Sequence, residues 1–188
     1  MLYQIISLLL EVVVGILGGA CLLRLYMQFL RIPMSVRSGN PLGRFVFALT
    51  DWIVLPLRRV LPALGAIDTA SLVAAILLQL AKYLVLWLLA GAGGGLLVVP
   101  VLALFGLLGM AISGLTVAVI VYAVLSWVSA PSPIGAVVAR LVEPLLQPIR
   151  RVVPLVGGID LSPLVLLVAL QVTAIVLGNL QVGALGVG

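Results

Sequence analysis

Apolar residues run through this chain in four long blocks, and prolines, glycines and arginines collect in the stretches between them. The first block covers about Ile5 to Phe29, the second about 70–90, the third lies within Leu96–Val128, and the fourth covers about Ser162 to Leu180. A helix that crosses a bilayer needs ~20 mostly apolar residues, and each block is long enough. The 33 residues of Leu96–Val128 carry no charge. As one helix they would reach roughly 50 Å, beyond a hydrocarbon core of ~30 Å. Pro100 is therefore expected to divide a short outer segment from a span near Ala103–Val128.

Two shorter helices are expected between the spans. Asn40-Pro41 pairs a good N-cap with a residue suited to the first turn, and an apolar run interrupted by Arg44, Thr50 and Asp51 follows to about Leu55. Arg44, Asp51 and Arg58 recur every seven residues and fall on one side. Ser132-Pro133 opens the counterpart, about 133–146, with Arg140 and Glu143 three apart; Pro144 and Pro148 should break this copy up. Such lengths suit amphipathic helices lying in the membrane interface.

A motif that occurs twice orders these elements. Pro56-Leu-Arg-Arg-Val-Leu-Pro-Ala-Leu-Gly-Ala-Ile-Asp68 returns 92 residues later as Pro148-Ile-Arg-Arg-Val-Val-Pro-Leu-Val-Gly-Gly-Ile-Asp160, with eight of thirteen positions identical. Pro62 and Gly65, like Pro154 and Gly157, prevent a continuous helix. Asp68 and Asp160 stand just before apolar blocks, where a carboxylate caps the free amides of a first turn; capping is preferred over a catalytic role. Each half then reads as a span, an interfacial helix, an Arg-Arg turn (56–68 and 148–160) and a second span. The fold class is an all-α membrane protein of four transmembrane helices in two parallel repeats, 1–95 and 96–188, joined by an outer glycine-rich turn at 91–95. Two spans return each repeat to its starting side, so the repeats are related by an axis along the membrane normal. The positive-inside rule makes the arginine-rich connections cytoplasmic and places both termini outside.

Composition sharpens this picture. Of 188 residues 64% are hydrophobic and 8% charged, too little polar surface for a soluble domain. The formal net charge of +5 is local: apart from Lys82, the basic residues fall in Arg24–Arg59 and Arg140–Arg151. That clustering reads as membrane topology, with no direct nucleic-acid partner. Histidine is absent and Cys21 is the single cysteine, which excludes an internal disulfide, a Cys/His metal site and a thiol relay; no cofactor is expected. Glu11 interrupts the first block, which reads as a retained helix and not a cleaved signal.

The two Pro-x-Arg-Arg-x-x-Pro-x-x-Gly-x-Ile-Asp copies, the Asn40-Pro41 and Ser132-Pro133 helix starts, Ser126-Trp127-Val128, and Arg24 with Gln28 together resemble the YggT family of small bacterial and plastid membrane proteins. The resemblance covers nearly the whole chain. It implies a duplicated protein of the bacterial inner membrane without established chemistry. Family members are linked to osmotic tolerance with potassium uptake, to cell division and nucleoid placement, and to cytochrome assembly in photosynthetic relatives. A chain without histidine lacks the usual haem ligand for that last role.

The candidate sites follow from the charges. Arg58-Arg59 and Arg150-Arg151, with Arg44 and Arg140 nearby, serve as topology determinants, as anionic-lipid sites, or as a surface that docks an acidic partner. Arg24 is expected to snorkel to the inner interface. Inside the hydrocarbon, Glu11, Gln79, Lys82 and Gln171 are expected to form a polar cluster lining the protein interior. Gln171 repeats Gln79 at the 92-residue offset, so the two should face a common axis. Glu11 and Lys82 either pair or reach separately toward the outer surface. Glu11, Gly15 and Gly19 share a face on which small residues admit another helix. Two function classes stand. One is a non-enzymatic scaffold or assembly protein holding anionic lipid, a membrane-protein partner or a second copy of itself at the cytoplasmic face. The alternative is an oligomeric ion pathway tied to osmotic stress and potassium uptake. An enzyme is not expected: no nucleophile–base pair, phosphate loop or ligand cluster is visible.

Overall fold

The computed structural model describes residues 1–35, 39–62, 67–93, 95–128, 132–153 and 160–185, with backbone alone at 127 and 128. Gly65, Pro154 and Gly157 lie outside the described residues, as do Arg37 and much of each Arg-Arg turn. The described residues form six helices: α1 (Leu2–Phe29), α2 (Pro41–Arg58), α3 (Thr69–Leu89), α4 (Val98–Val128), α5 (Pro133–Arg150) and α6 (Ser162–Ala184). Four of them, α1, α3, α4 and α6, are long and apolar enough to cross a membrane. The bounds of α5 are those of α2 advanced by 92 positions.

Proline positions explain where the helices differ from the sequence expectation. Pro100 falls in the first turn of α4, where its missing N–H costs nothing, so α4 is one helix of 31 residues with no break before Ala103. Pro144 and Pro148 lie inside α5, which stays a single 18-residue helix. Both short helices begin on the expected caps. Asn40 Oδ1 accepts from the N–H groups of Leu42 and Gly43, and Ser132 Oγ accepts from Gly135 N–H.

Helix α1 packs on α2, α3 and α4; α3 packs on α1, α2 and α4; α6 packs on α4 and α5. Small residues set the closest approaches. Cys21 on α1 meets Ala70, Ala74 and Ala75 of α3 with Val54 of α2 in one core. A second core joins Met27 and Ile32, Val119 of α4, Leu166 of α6, and the buried side of α5 from Val137 to Leu146. Gly106 of α4 faces α3 so closely that a Cβ there would come within 2.7 Å of the Tyr83 ring. On α1 the close approach is at Gly18, where a Cβ would come within 3.0 Å of Met110 Sδ, whereas a Cβ at Gly15 or Gly19 would have nothing within 4 Å among the described residues. The expected close packing on the Gly15–Gly19 face is therefore not seen among the described residues.

Candidate functional site: a duplicated ion-pair corner

Where α1, α2 and α3 meet, the chain builds a corner of four charges. Arg24, expected to reach out to the interface, is instead buried, with 2% of its side chain exposed. Its Nη1 donates to Thr50 Oγ1 and to Asp51 Oδ1, each at 2.7 Å, and its Nε lies 3.6 Å from Asp68 Oδ2. The Phe47 ring covers the guanidinium at 4.7 Å. Arg58, at the end of α2, donates to Asp68 and also to Gln28 Oε1 at 3.3 Å. Asp68 in turn caps α3, accepting from Ser71 N–H and from Ser71 Oγ–H at 2.8 Å. Burial would raise the pKa of Asp68, but the hydrogen bonds from Arg58 and Ser71 outweigh it and hold the carboxyl below its ordinary value.

The second half builds a related corner from the same three charged positions, with different neighbours and pairing. Asp51, Arg58 and Asp68 become Glu143, Arg150 and Asp160 at the 92-residue offset. Arg150 Nη1 donates to both Glu143 oxygens at 3.0 and 2.9 Å, its Nε donates to Asp160 at 2.9 Å, and its Nη2 donates to the Tyr122 hydroxyl at 2.8 Å. Asp160 accepts from Ser162 N–H at 2.9 Å. Desolvation would lower the pKa of Arg150, but its bonds to Tyr122 and Asp160 raise it above the ordinary arginine value. Desolvation would raise that of Asp160, but hydrogen bonding from Ser162 and Arg150 lowers it. Arg140, three residues from Glu143, is not its partner.

Tyr122 stands where the first half has Arg24. In the sequence Arg24 precedes Pro33 by nine residues and Tyr122 precedes Pro131 by nine, but the following helix opens at Asn40 in one half and at Ser132 in the other. The first loop is six residues longer, so a fixed 92-residue comparison misaligns α1 with α4 and hides the exchange. Aligning Pro33 with Pro131 is the signal that finds it. The first corner is neutral, with Arg24 and Arg58 against Asp51 and Asp68. The second carries one surplus negative charge.

Deeper in the bundle, Lys82 Nζ donates to Glu11 Oε2 at 2.6 Å and lies 4.6 Å from the Tyr83 ring centroid. The pair is lopsided: 5% of the Lys82 side chain is exposed against 68% of Glu11. Gln79 is buried beside Gly106, and its Oε1 has no partner among the described residues. Gln171 does not join this group; it is exposed on α6. Helices α1 and α4 flank Gln79 on α3, while α6 packs on α4 and α5 and leaves its middle turns open. The expected four-residue interior cluster is thus a Gln79–Lys82 core with Glu11 at its edge.

All five carboxylates are taken up in ion pairs by Arg24, Arg58, Lys82 and Arg150. Six arginines remain. Arg31, Arg44, Arg59, Arg140 and Arg151 are exposed and make no ion pair among the described residues; Arg37 lies outside them. Each Arg-Arg pair is therefore split between one residue bound to carboxylates and one facing outward.

Comparison with known proteins matches the CCB3/YggT family model at residues 3–89 and 101–181. The chain is 38% identical over 168 residues to "Uncharacterized protein YggT" of Escherichia coli K12, covering 89% of this chain and 86% of that protein. It is 39% identical over 163 residues to "Uncharacterized protein in proC 3'region" of Vibrio alginolyticus, covering 85% of each. An uncharacterized protein of Haemophilus influenzae is 33% identical over 166 residues, covering 88% of this chain and 84% of that one. No solved structure matches.

Proposed function

This chain belongs to the CCB3/YggT family, and from that premise we propose that it is a non-enzymatic scaffold of the bacterial inner membrane whose cytoplasmic face holds anionic lipid and a partner complex. One observation carries the reading. Every carboxylate has a cationic partner within the chain, and Arg31, Arg44, Arg59, Arg140 and Arg151, on the short helices and beside them, face outward with no ion pair among the described residues. A cation near an anionic membrane surface contributes about 1 kcal/mol, so a handful together hold lipid firmly. In this proposal the two short helices lie in the interface. Each buries one side, and α2 leaves Phe45 and Trp52 exposed, residue types that favour the headgroup level. On this reading the halves are parallel repeats about an axis along the membrane normal, with both termini outside.

The test replaces Arg44, Arg59, Arg140 and Arg151 together with glutamine. None of the four is in an ion pair among the described residues, so the fold should stand. Cardiolipin and phosphatidylglycerol retained through purification should fall, more so at low salt, where screening is weaker. Unchanged lipid and unchanged co-purifying protein would refute the scaffold. A reporter active only in the cytoplasm, fused at residue 188, should be silent; a signal would overturn the topology.

A second reading, an ion pathway, is favoured by the buried Gln79 Oε1 and Trp87 Nε1 on the helix that carries Lys82, both without a hydrogen-bond partner among the described residues. Potassium flux into proteoliposomes that disappears in Lys82→Met would move the assignment to it.

A further inference from the structure

At the level of the free arginines a cleft of about 220 Å³ opens between the start of α2 and the start of α5, where the two halves meet. Its floor is apolar, made by Ile32 and Pro33 just beyond α1 and by Pro133 and Val137 of α5. Asn40 and Arg140 supply its polar side chains. Asn40 is already occupied, accepting from Leu42 and Gly43 and donating to the Pro33 carbonyl. Arg140 is exposed and makes no ion pair or hydrogen bond among the described residues. No carboxylate lines the cleft. Arg31 adjoins the lining residue Ile32, and Arg44 follows Asn40 by one helical turn.

We propose that this cleft receives the phosphate of an anionic phospholipid, with the Arg140 guanidinium on the phosphate oxygens and the apolar floor against the glycerol and first acyl carbons. A guanidinium fork matches a phosphate in shape as well as charge. The cleft is smaller than the ~300–1,000 Å³ of sites that enclose a whole small molecule, so it takes the headgroup end and leaves the chains outside. The floor distinguishes a lipid from free phosphate, which has nothing to place on Ile32 and Pro133. The inference rests on the reading of the arginine face as lipid-binding and gives that face a defined seat.

The full chain in neutral detergent is titrated with short-chain phosphatidylglycerol, with phosphatidylcholine of the same chains and with inorganic phosphate. The variants are Arg140→Gln, Ala136→Phe, which fills the cleft from its α5 wall, and the double variant Arg59→Gln/Arg151→Gln. Phosphatidylglycerol should bind best. Arg140→Gln and Ala136→Phe should each weaken it about tenfold or more, and the double variant, which removes two cations of the wider face and leaves the cleft whole, should weaken it less than either. If the double variant removes binding and Arg140→Gln leaves it intact, the cleft is refuted and the broader cationic face stands. If the wild-type chain does not distinguish phosphatidylglycerol from phosphatidylcholine, both fail. Inorganic phosphate binding as tightly as the lipid would overturn the assignment to a lipid.

Discussion

Asp68 and Asp160 occupy the same position of the same motif, yet removing them should cost very different amounts. Asp68 is 1% exposed and stands between Arg24, itself 2% exposed, and Arg58. Asp68→Ala deprives a buried guanidinium of one of its two carboxylates. Breaking a buried ion pair from one side costs ~3–5 kcal/mol, and the low end applies because Asp51 and Thr50 still hold Arg24. Loss of the α3 cap adds ~1 kcal/mol, for a total of about 4. Asp160 and Arg150 are 31% and 33% exposed, and Arg150 keeps both Glu143 oxygens and the Tyr122 hydroxyl. A hydrated pair contributes ~1 kcal/mol at most and the lost cap a similar amount, so Asp160→Ala should cost about 1–2. At roughly 2–4 °C per kcal/mol for a chain of this size, Asp68→Ala should melt roughly 5–10 °C below Asp160→Ala in detergent. Adding Arg24→Met to Asp68→Ala should restore part of the loss, because no cation is then stranded. Equal losses from the two aspartates, or no restoration, would refute the account of the first corner as a buried charge cluster.

The depressed pKa values of Asp68 and Asp160 contribute stability that is complete above the ordinary carboxylate pKa of about 3.9 and is lost as pH falls below it. Acid unfolding should therefore set in below about pH 4, and Asp68→Asn should flatten that dependence; a profile unchanged by the substitution would contradict it. Glu11→Gln leaves buried Lys82 without its anion and should destabilise more than Glu11→Gln combined with Lys82→Met, whereas additive losses by thermal unfolding would mean the pair contributes nothing. Gly106→Val should cost about 1–3 kcal/mol by forcing Tyr83 and α4 apart, while Gly109→Ala, with nothing within 4 Å of its Cβ position, should be close to neutral; comparable melting points would refute the tight α3–α4 contact.

Hydropathy located the four long helices, and Asn40 and Ser132 located the starts of the two short ones, because length and caps are local properties. Side-chain partners are not local. Arg24 near the end of an apolar run reads as a snorkelling residue, and its burial depends on Asp51 and Asp68, which only the turn of α2 against α1 brings to it. Gln79 and Gln171 match in sequence but differ in exposure, because burial is decided by which helices flank α3 and α6 and not by the repeat. The division within each Arg-Arg pair was hidden for a related reason: adjacent residues at a helix end point in different directions, one back to the cap of the following helix and one outward. Pro100, Pro144 and Pro148 read as interruptions, but Pro100 falls in the first turn of α4, where a proline is tolerated, Pro148 falls in the last turn of α5, and α5 continues through Pro144.

The exchange of Arg24 for Tyr122 limits how such a molecule can be assembled from parts. Two identical half-length chains paired about an axis must carry the same residue at both corners, so their electrical properties are matched by symmetry. Joining the halves in one polypeptide lifts that constraint: one corner holds an extra guanidinium, the other a phenol. A chimera of two first halves would gain a cation at the second corner, and one of two second halves would leave both corners a charge short. Neither is the natural molecule, whose two ends of one duplicated plan are no longer interchangeable.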